Sequence, residues 1–149
     1  MFHVIDDDDR ICKLLKALVI KAGYEATCFE TAEKYIEYMN SNSFQKPVAV
    51  LSDVVMPGIN GYELATLIRK KLPSQKIILV SATPSEGYNQ FANDQLCALI
   101  NKPFHPLDMI SKIKALASCD EIHASGEYIY GSLCDFGMNC RCPFYNLIK

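Results

Sequence analysis

The sequence predicts an α/β fold: a doubly wound, five-stranded parallel sheet with five helices and a short Cys-rich C-terminal extension. Three observations carry this. From residue 2 to about 118, short apolar runs alternate with amphipathic segments, the pattern of successive βα units. The runs are short and mostly apolar, as strands covered on both faces should be. Finally, 149 residues with 50% hydrophobic and 21% charged side chains make one ordinary globular core, which excludes disordered, collagen-like and low-complexity classes.

The first strand, Phe2–Ile5, runs into Asp6-Asp7-Asp8-Asp9. Ile11, Leu14, Leu15, Leu18, Val19 and Ala22 then recur as one stripe of a helix that Gly23 can end in the left-handed conformation. After a second strand, Ala26–Phe29, Thr31 can cap a helix whose inner face is Ala32, Tyr35, Ile36 and Met39. A third strand, Val48–Ser52, leads through Asp53 to Asn60 and Glu63, spaced as a capping box for the third helix. The fourth strand, Lys76–Val80, precedes Thr83-Pro84-Ser85-Glu86, which joins an N-cap hydroxyl, a proline at the first helical position and a reciprocating Glu, so a fourth helix should begin there. Ala98–Asn101 is the fifth strand, and a fifth helix from Pro106 places Leu107, Ile110, Ile113 and Leu116 inward. Right-handed crossovers twist such a sheet open, and its ligands bind where strand order reverses, beyond the carboxyl ends of the strands.

Charge and cysteine usage narrow the function. The formal net charge is −2, with 13 basic and 13 acidic side chains in residues 1–119 against two and four in 120–149, and Arg69-Lys70-Lys71 is the one basic cluster. Direct nucleic-acid binding is not expected, because phosphate affinity needs clustered Lys and Arg. No apolar run approaches the roughly 20 residues of a membrane span. The N-terminus lacks a signal-peptide pattern, so a cytoplasmic protein without membrane contact is expected, with its seven cysteines as reduced thiols or metal ligands.

Residues just past the strand ends carry the chemistry. Asp6 and Asp7 come after the first strand, Asp53 after the third, Ser81 after the fourth and Lys102 after the fifth, so all meet at one sheet edge. Carboxylates brought together repel and resist ionisation unless a cation joins them, and oxygen-only ligands select a hard ion such as Mg²⁺. One ammonium and one hydroxyl remain to bond the oxygens of a phosphoryl group carried by a carboxylate, the parts needed for phosphoryl transfer to aspartate. Asp8 and Asp9 read instead as favourable acids at a helix N-terminus. His3 within a strand and His105 beside a helix cap read as structural or solvated.

Val4-Ile5-Asp6-Asp7, Leu51-Ser52-Asp53-Val54-Val55-Met56-Pro57-Gly58, Asn60-Gly61-Tyr62-Glu63-Leu64, Val80-Ser81-Ala82 and Asn101-Lys102-Pro103-Phe104 resemble the receiver domain of two-component response regulators, in particular single-domain, chemotaxis-regulator-like members. The resemblance covers residues 1–118 and implies a flavodoxin-like strand order, 2-1-3-4-5. It makes Asp53 the phosphoacceptor, Asp6 and Asp7 the acidic pair with Asp7 the direct Mg²⁺ ligand, and Val55 a ligand through its backbone carbonyl. Ser81 stands at the switch Ser/Thr position and Lys102 at the family's lysine, with a cis peptide often found at Lys102-Pro103. A sensor histidine kinase or phosphotransfer protein would supply the phosphoryl group, and a downstream protein partner would read it.

One feature departs from the family's pattern, and two further positions bear on the lifetime of the phosphorylated state. The position that usually holds the aromatic switch residue is Leu99, and the positions that tune dephosphorylation are Val55 and Thr83, neither acidic nor amide. Tyr88, Phe91 and Leu99 either form an outward partner surface or pack under a loop.

Residues 119–149 form an addition to the receiver with no helix-turn-helix pattern. Thirty-one residues cannot build a core alone, which leaves docking on the receiver, pairing with a second subunit in a homodimer, or a metal staple. Cys134, Cys140 and Cys142, with Cys119 or His123, are the available Zn²⁺ ligands, although a Cys-x-Cys pair is not a standard spacing.

The expected function is therefore a self-phosphorylating and self-dephosphorylating switch, not a turnover enzyme. One alternative is a haloacid-dehalogenase-type Mg²⁺ phosphohydrolase, whose nucleophile would follow the first strand, although Arg10 stands where that family has Thr. Another is an adaptor that binds partners without phosphorylation.

Overall fold

The computed structural model describes residues 1–82 and 96–124, the last six of these as helix backbone. The helix expected from Thr83, Tyr88 and Phe91, the side chains of Cys119 and His123, and the tail with Cys134, Cys140 and Cys142 lie outside the described residues. In chain order the elements are β1 (Phe2–Ile5), α1 (Asp9–Lys21), β2 (Ala26–Phe29), α2 (Ala32–Met39), β3 (Ala49–Asp53), α3 (Gly61–Lys71), β4 (Lys76–Ser81), β5 (Ala98–Asn101) and α4 (Pro106–Ala124). The strands form one parallel sheet in the order β2-β1-β3-β4-β5, flavodoxin-like as expected.

Local chemistry starts and stops the helices as anticipated. The Asp8 carboxylate accepts the Arg10 N–H at 2.9 Å, and Asp9 pairs with Lys13 one turn on, so both acids serve the α1 N-terminus. Gly23, at φ +99°, follows the α1 C-cap in the left-handed region that glycine adopts most easily. Thr31 Oγ1 accepts the Lys34 N–H at 3.1 Å to start α2, and Asn60 and Glu63 form a reciprocal capping box at α3.

Side chains alternate across the strands, so the sheet divides the core in two. Phe2, Val4, Leu51, Ile78, Val80 and Ile100 face Leu15, Leu18 and Val19 of α1 and Met109, Ile113 and Leu116 of α4. Ile5, Val50, Ile77 and Leu79 face Ala32, Tyr35 and Met39 of α2 and Leu64, Ala65 and Ile68 of α3. Fully burying each large aliphatic side chain contributes roughly 1.5–3 kcal/mol before the entropy of ordering the chain is subtracted.

Several expectations need correction. β3 sits one residue later than Val48–Ser52, and β4 runs on to Ser81, because Asp53 pairs in register with Val80 and Ser81 with Asn101. Leu14 is exposed while Cys12 is buried, so the inner stripe of α1 is Cys12-Leu15-Leu18-Val19. Leu107 is also exposed. The inward series is Met109-Ile113-Leu116, and Leu107, two residues before Met109, lies about 200° around the helix from it.

Of the basic cluster, Arg69 donates to the carbonyls of Pro73 and Gln75, and Lys71 to the carbonyl of Met39 and to Asn40 Oδ1. These two side chains staple the α3–β4 turn and the end of α2. Cys12 is buried and Cys28 and Cys97 are half-buried, and none of the three forms a disulfide among the described residues. Among the described residues, no helix is long and apolar enough to cross a membrane.

Candidate functional site

Strand order reverses between β1 and β3, and the backbone carries the acids to that point. The Asp6 N–H donates to the Phe29 carbonyl at 3.1 Å, extending the β1–β2 ladder beyond Ile5. Asp53 is the last residue of β3, with Val54 N–H bonded to the Val80 carbonyl at 3.1 Å. Carboxylate oxygens of Asp6, Asp7 and Asp53 therefore lie within 4.8 Å of one another; Asp6 and Asp53 are buried and Asp7 is exposed.

Lys102, just past β5, places Nζ 3.1 Å from Asp6 Oδ2 and 3.1 Å from Asp53 Oδ1. Burial works against its charge, but the two carboxylates outweigh that and hold its pKa above the ordinary lysine value. Asp6 is pushed the other way: burial raises its pKa more than the Asp8 N–H and Lys102 lower it, and Asp53 adds to the rise. Three carboxylates face one ammonium, so the fully ionised cluster is short of positive charge on its open, Asp7 side. All its anionic donors are oxygens, a set that suits a small hard divalent cation.

Ser81 closes β4 one residue past Val80, the register partner of Asp53. It is buried, and its carbonyl accepts the Lys102 N–H at 2.6 Å. The Lys102-Pro103 peptide is cis. Val55 lies in the loop two residues past Asp53, with 62% of its surface exposed. Leu99 is half-buried against the α2/α3 core, which favours packing over an outward surface at that position. His3 is buried in β1, and His105 is exposed, with Nδ1 accepting the Leu107 N–H at 3.3 Å as a helix-start contact.

Gly61 has a role that motif reading passes over. Its N–H bonds the Val54 carbonyl at 2.9 Å, and a Cβ there would stand 2.3 Å from the Asp53 carbonyl oxygen and 2.9 Å from Val54 Cα. Only hydrogen lets α3 begin this close to the strand end that carries Asp53. The Gly61→Ala variant should lose about 2 kcal/mol in urea unfolding, a typical overpacking cost. A loss below about 0.5 kcal/mol would show that the helix start moves aside freely. The local signal was Asn-Gly at a helix start, which by itself reads only as a cap.

The response regulator receiver domain family model matches residues 2–114. The response regulator receiver protein CpdR of Brucella abortus is 31% identical over 112 residues, spanning 74% of this chain and 90% of CpdR. Regulatory protein VanRB of Enterococcus faecalis is 25% identical over 114 residues, 76% of this chain but 50% of VanRB, so the chain spans about half the length of that relative. Among solved structures, the response regulator TrrA of Thermotoga maritima, in complex with Mg²⁺ and BeF, is 32% identical with a TM-score of 0.65, covering 77% of this chain and 96% of that one.

Proposed function

Because the chain belongs to the family of response regulator receiver domains, which are phosphorylated on aspartate in two-component systems, we propose that Asp53 is its phosphoacceptor and that Asp6, Asp7, Asp53 and the Val55 carbonyl hold Mg²⁺. The observation that carries this reading is the meeting of three carboxylates within 4.8 Å at the strand-order reversal, with Lys102 Nζ 3.1 Å from both buried ones.

An Asp53 carboxylate oxygen attacks the phosphorus of a phosphohistidine on a sensor histidine kinase or phosphotransfer protein, the P–N bond breaks, and the imidazole leaves. Lys102 and the Ser81 hydroxyl orient and stabilise the phosphoryl oxygens from two strand ends. The ion, when bound, supplies the positive charge that lets carboxylates and phosphoryl oxygens share one site. The product is a signal read by a downstream protein, so the chain acts as a switch, assisting only its own phosphorylation and hydrolysis. Val55 and Thr83 offer no acid or amide to orient a water, which supports slow hydrolysis.

The same proposal divides the chain into a receiver, 1–118, and a Cys-rich extension, 119–149; the end of the family match at 114 supports this. It places the protein in the cytoplasm, where its half-buried Cys28 and Cys97 would stay reduced, and leaves homodimer formation to the extension or the receiver face.

Beryllofluoride, a phosphoryl mimic, tests the reading without a kinase. The amide resonances of Asp53, Ser81 and Lys102 should shift in NMR spectra when beryllofluoride and Mg²⁺ are added together, and remain in place when EDTA replaces Mg²⁺. Unchanged spectra with both present would remove the phosphoacceptor assignment.

A further inference from the structure

Resting on the Mg²⁺ reading above, we infer that Glu33, on the first turn of α2, is a positioning residue for the metal site, clamping the β3–α3 loop that carries the Val55 carbonyl. Glu33 is remote from the acids in sequence and none of the site motifs contains it.

The loop leaves β3 at Asp53 and enters α3 at Gly61. Its far end is pinned, because Gly61 is pressed against the Asp53 carbonyl and Asn60 and Glu63 lock the helix start. The middle has no strand or helix to hold it. There Glu33 Oε1 accepts the Ile59 N–H at 3.0 Å, and this bond is the main reason its carboxyl stays below the usual glutamate range.

Gly58, the neighbouring residue, shows how closely the carboxylate is seated. It adopts φ +77°, a conformation glycine takes without penalty, and a Cβ on it would stand 2.3 Å from Glu33 Oε1. Loop and carboxylate are thus built around each other: glycine leaves the space, and Glu33 fills it with an acceptor for the next amide. Since Val55 is only a few residues upstream in a loop tethered at Ile59 and Gly61, the direction of its carbonyl depends on that tether. Exposure of Glu33 limits what the bond adds to folding, which separates this role from a purely structural one.

Hydrogen exchange and Mg²⁺ calorimetry on the full chain test the clamp separately. In Glu33→Ala the Ile59 amide should exchange at least about tenfold faster in metal-free protein, and Mg²⁺ should bind about fivefold more weakly, as losing one such hydrogen bond implies. Thermal unfolding in EDTA should stay within a few degrees of wild type. Glu33→Gln keeps an oxygen acceptor without charge and should restore both quantities to within twofold. Unchanged exchange and affinity in Glu33→Ala would overturn the inference, as would a Glu33→Gln variant as weak as the alanine one, which would leave only a charge effect. A wild-type chain that binds no Mg²⁺ would instead refute the metal site, whereas the metal-free exchange of Ile59 reports on the clamp alone.

Discussion

The Asp53→Asn variant is expected to take up no label from a small radioactive acyl phosphate in Mg²⁺, a drop of at least about a hundredfold against wild type. The amide is nearly isosteric with the carboxylate, and its oxygen can still accept from Lys102 Nζ, so the pocket should keep its shape. What disappears is the anionic oxygen able to form the P–O bond. Folding gives a control with the opposite sign. Removing one of three carboxylates crowded within 4.8 Å relieves repulsion, so Asp53→Asn should be at least as stable as wild type in EDTA. Asp6→Asn, by contrast, should lower the labelling rate without moving the adduct. Retention of label in Asp53→Asn together with its loss in Asp6→Asn would place the nucleophile after β1 and reverse the assignment.

Acid should weaken the fold through a residue that takes no part in this chemistry. His3 lies wholly inside the α2 side of the sheet, its ring edge-on to Phe29, Tyr35, Tyr38 and Phe44, with Nδ1 3.2 Å from the Tyr35 hydroxyl and no hydrogen-bond partner for Nε2 among the described residues. Burial first, and the nearby amino terminus second, lower its pKa from 6.5 to about 4. Above pH 6.5 the imidazole is neutral whether the chain is folded or not, and it costs nothing. Between pH 6.5 and 4 the unfolded chain binds a proton that the folded one refuses, so stability falls with pH through that window. At about 1.4 kcal/mol per unit, the full shift is worth about 3 kcal/mol. Urea unfolding across that window should therefore decline more steeply in wild type than in His3→Val, which has nothing to protonate there. Parallel pH profiles for the two proteins would show that His3 titrates normally.

Much of the architecture was legible because it is written locally. Caps at Thr31 and Asn60, the stop at Gly23 and the helix acids Asp8 and Asp9 depend on side chains within four residues of the backbone groups they satisfy. Positions set by packing between elements are not written locally. Leu14 and Leu107 fit an apolar stripe on paper but turn to solvent, because the rotation of a helix is fixed by the surface it lies on, and here Cys12 and Met109 fill the inward sites. The close approach of Gly61 to Asp53 and of Glu33 to Gly58 is likewise set by packing between elements. Neither leaves a periodic or local trace.

Apolar periodicity and turn chemistry, read along the chain alone, determined that alternating strands and helices would form and that each acid, hydroxyl or lysine of the site would stand at or just past the carboxyl end of a strand. Tertiary structure alone decided that Lys102 reaches Asp6 across 96 residues and Asp53 across 49, that Asp6 is buried while Asp7 stays exposed, and that a glycine and a glutamate shape the loop between. The physical reason is register. Where a strand ends relative to its neighbours is set by hydrogen bonds to other strands, and a displacement of one residue would turn each of these side chains to the opposite face of the sheet.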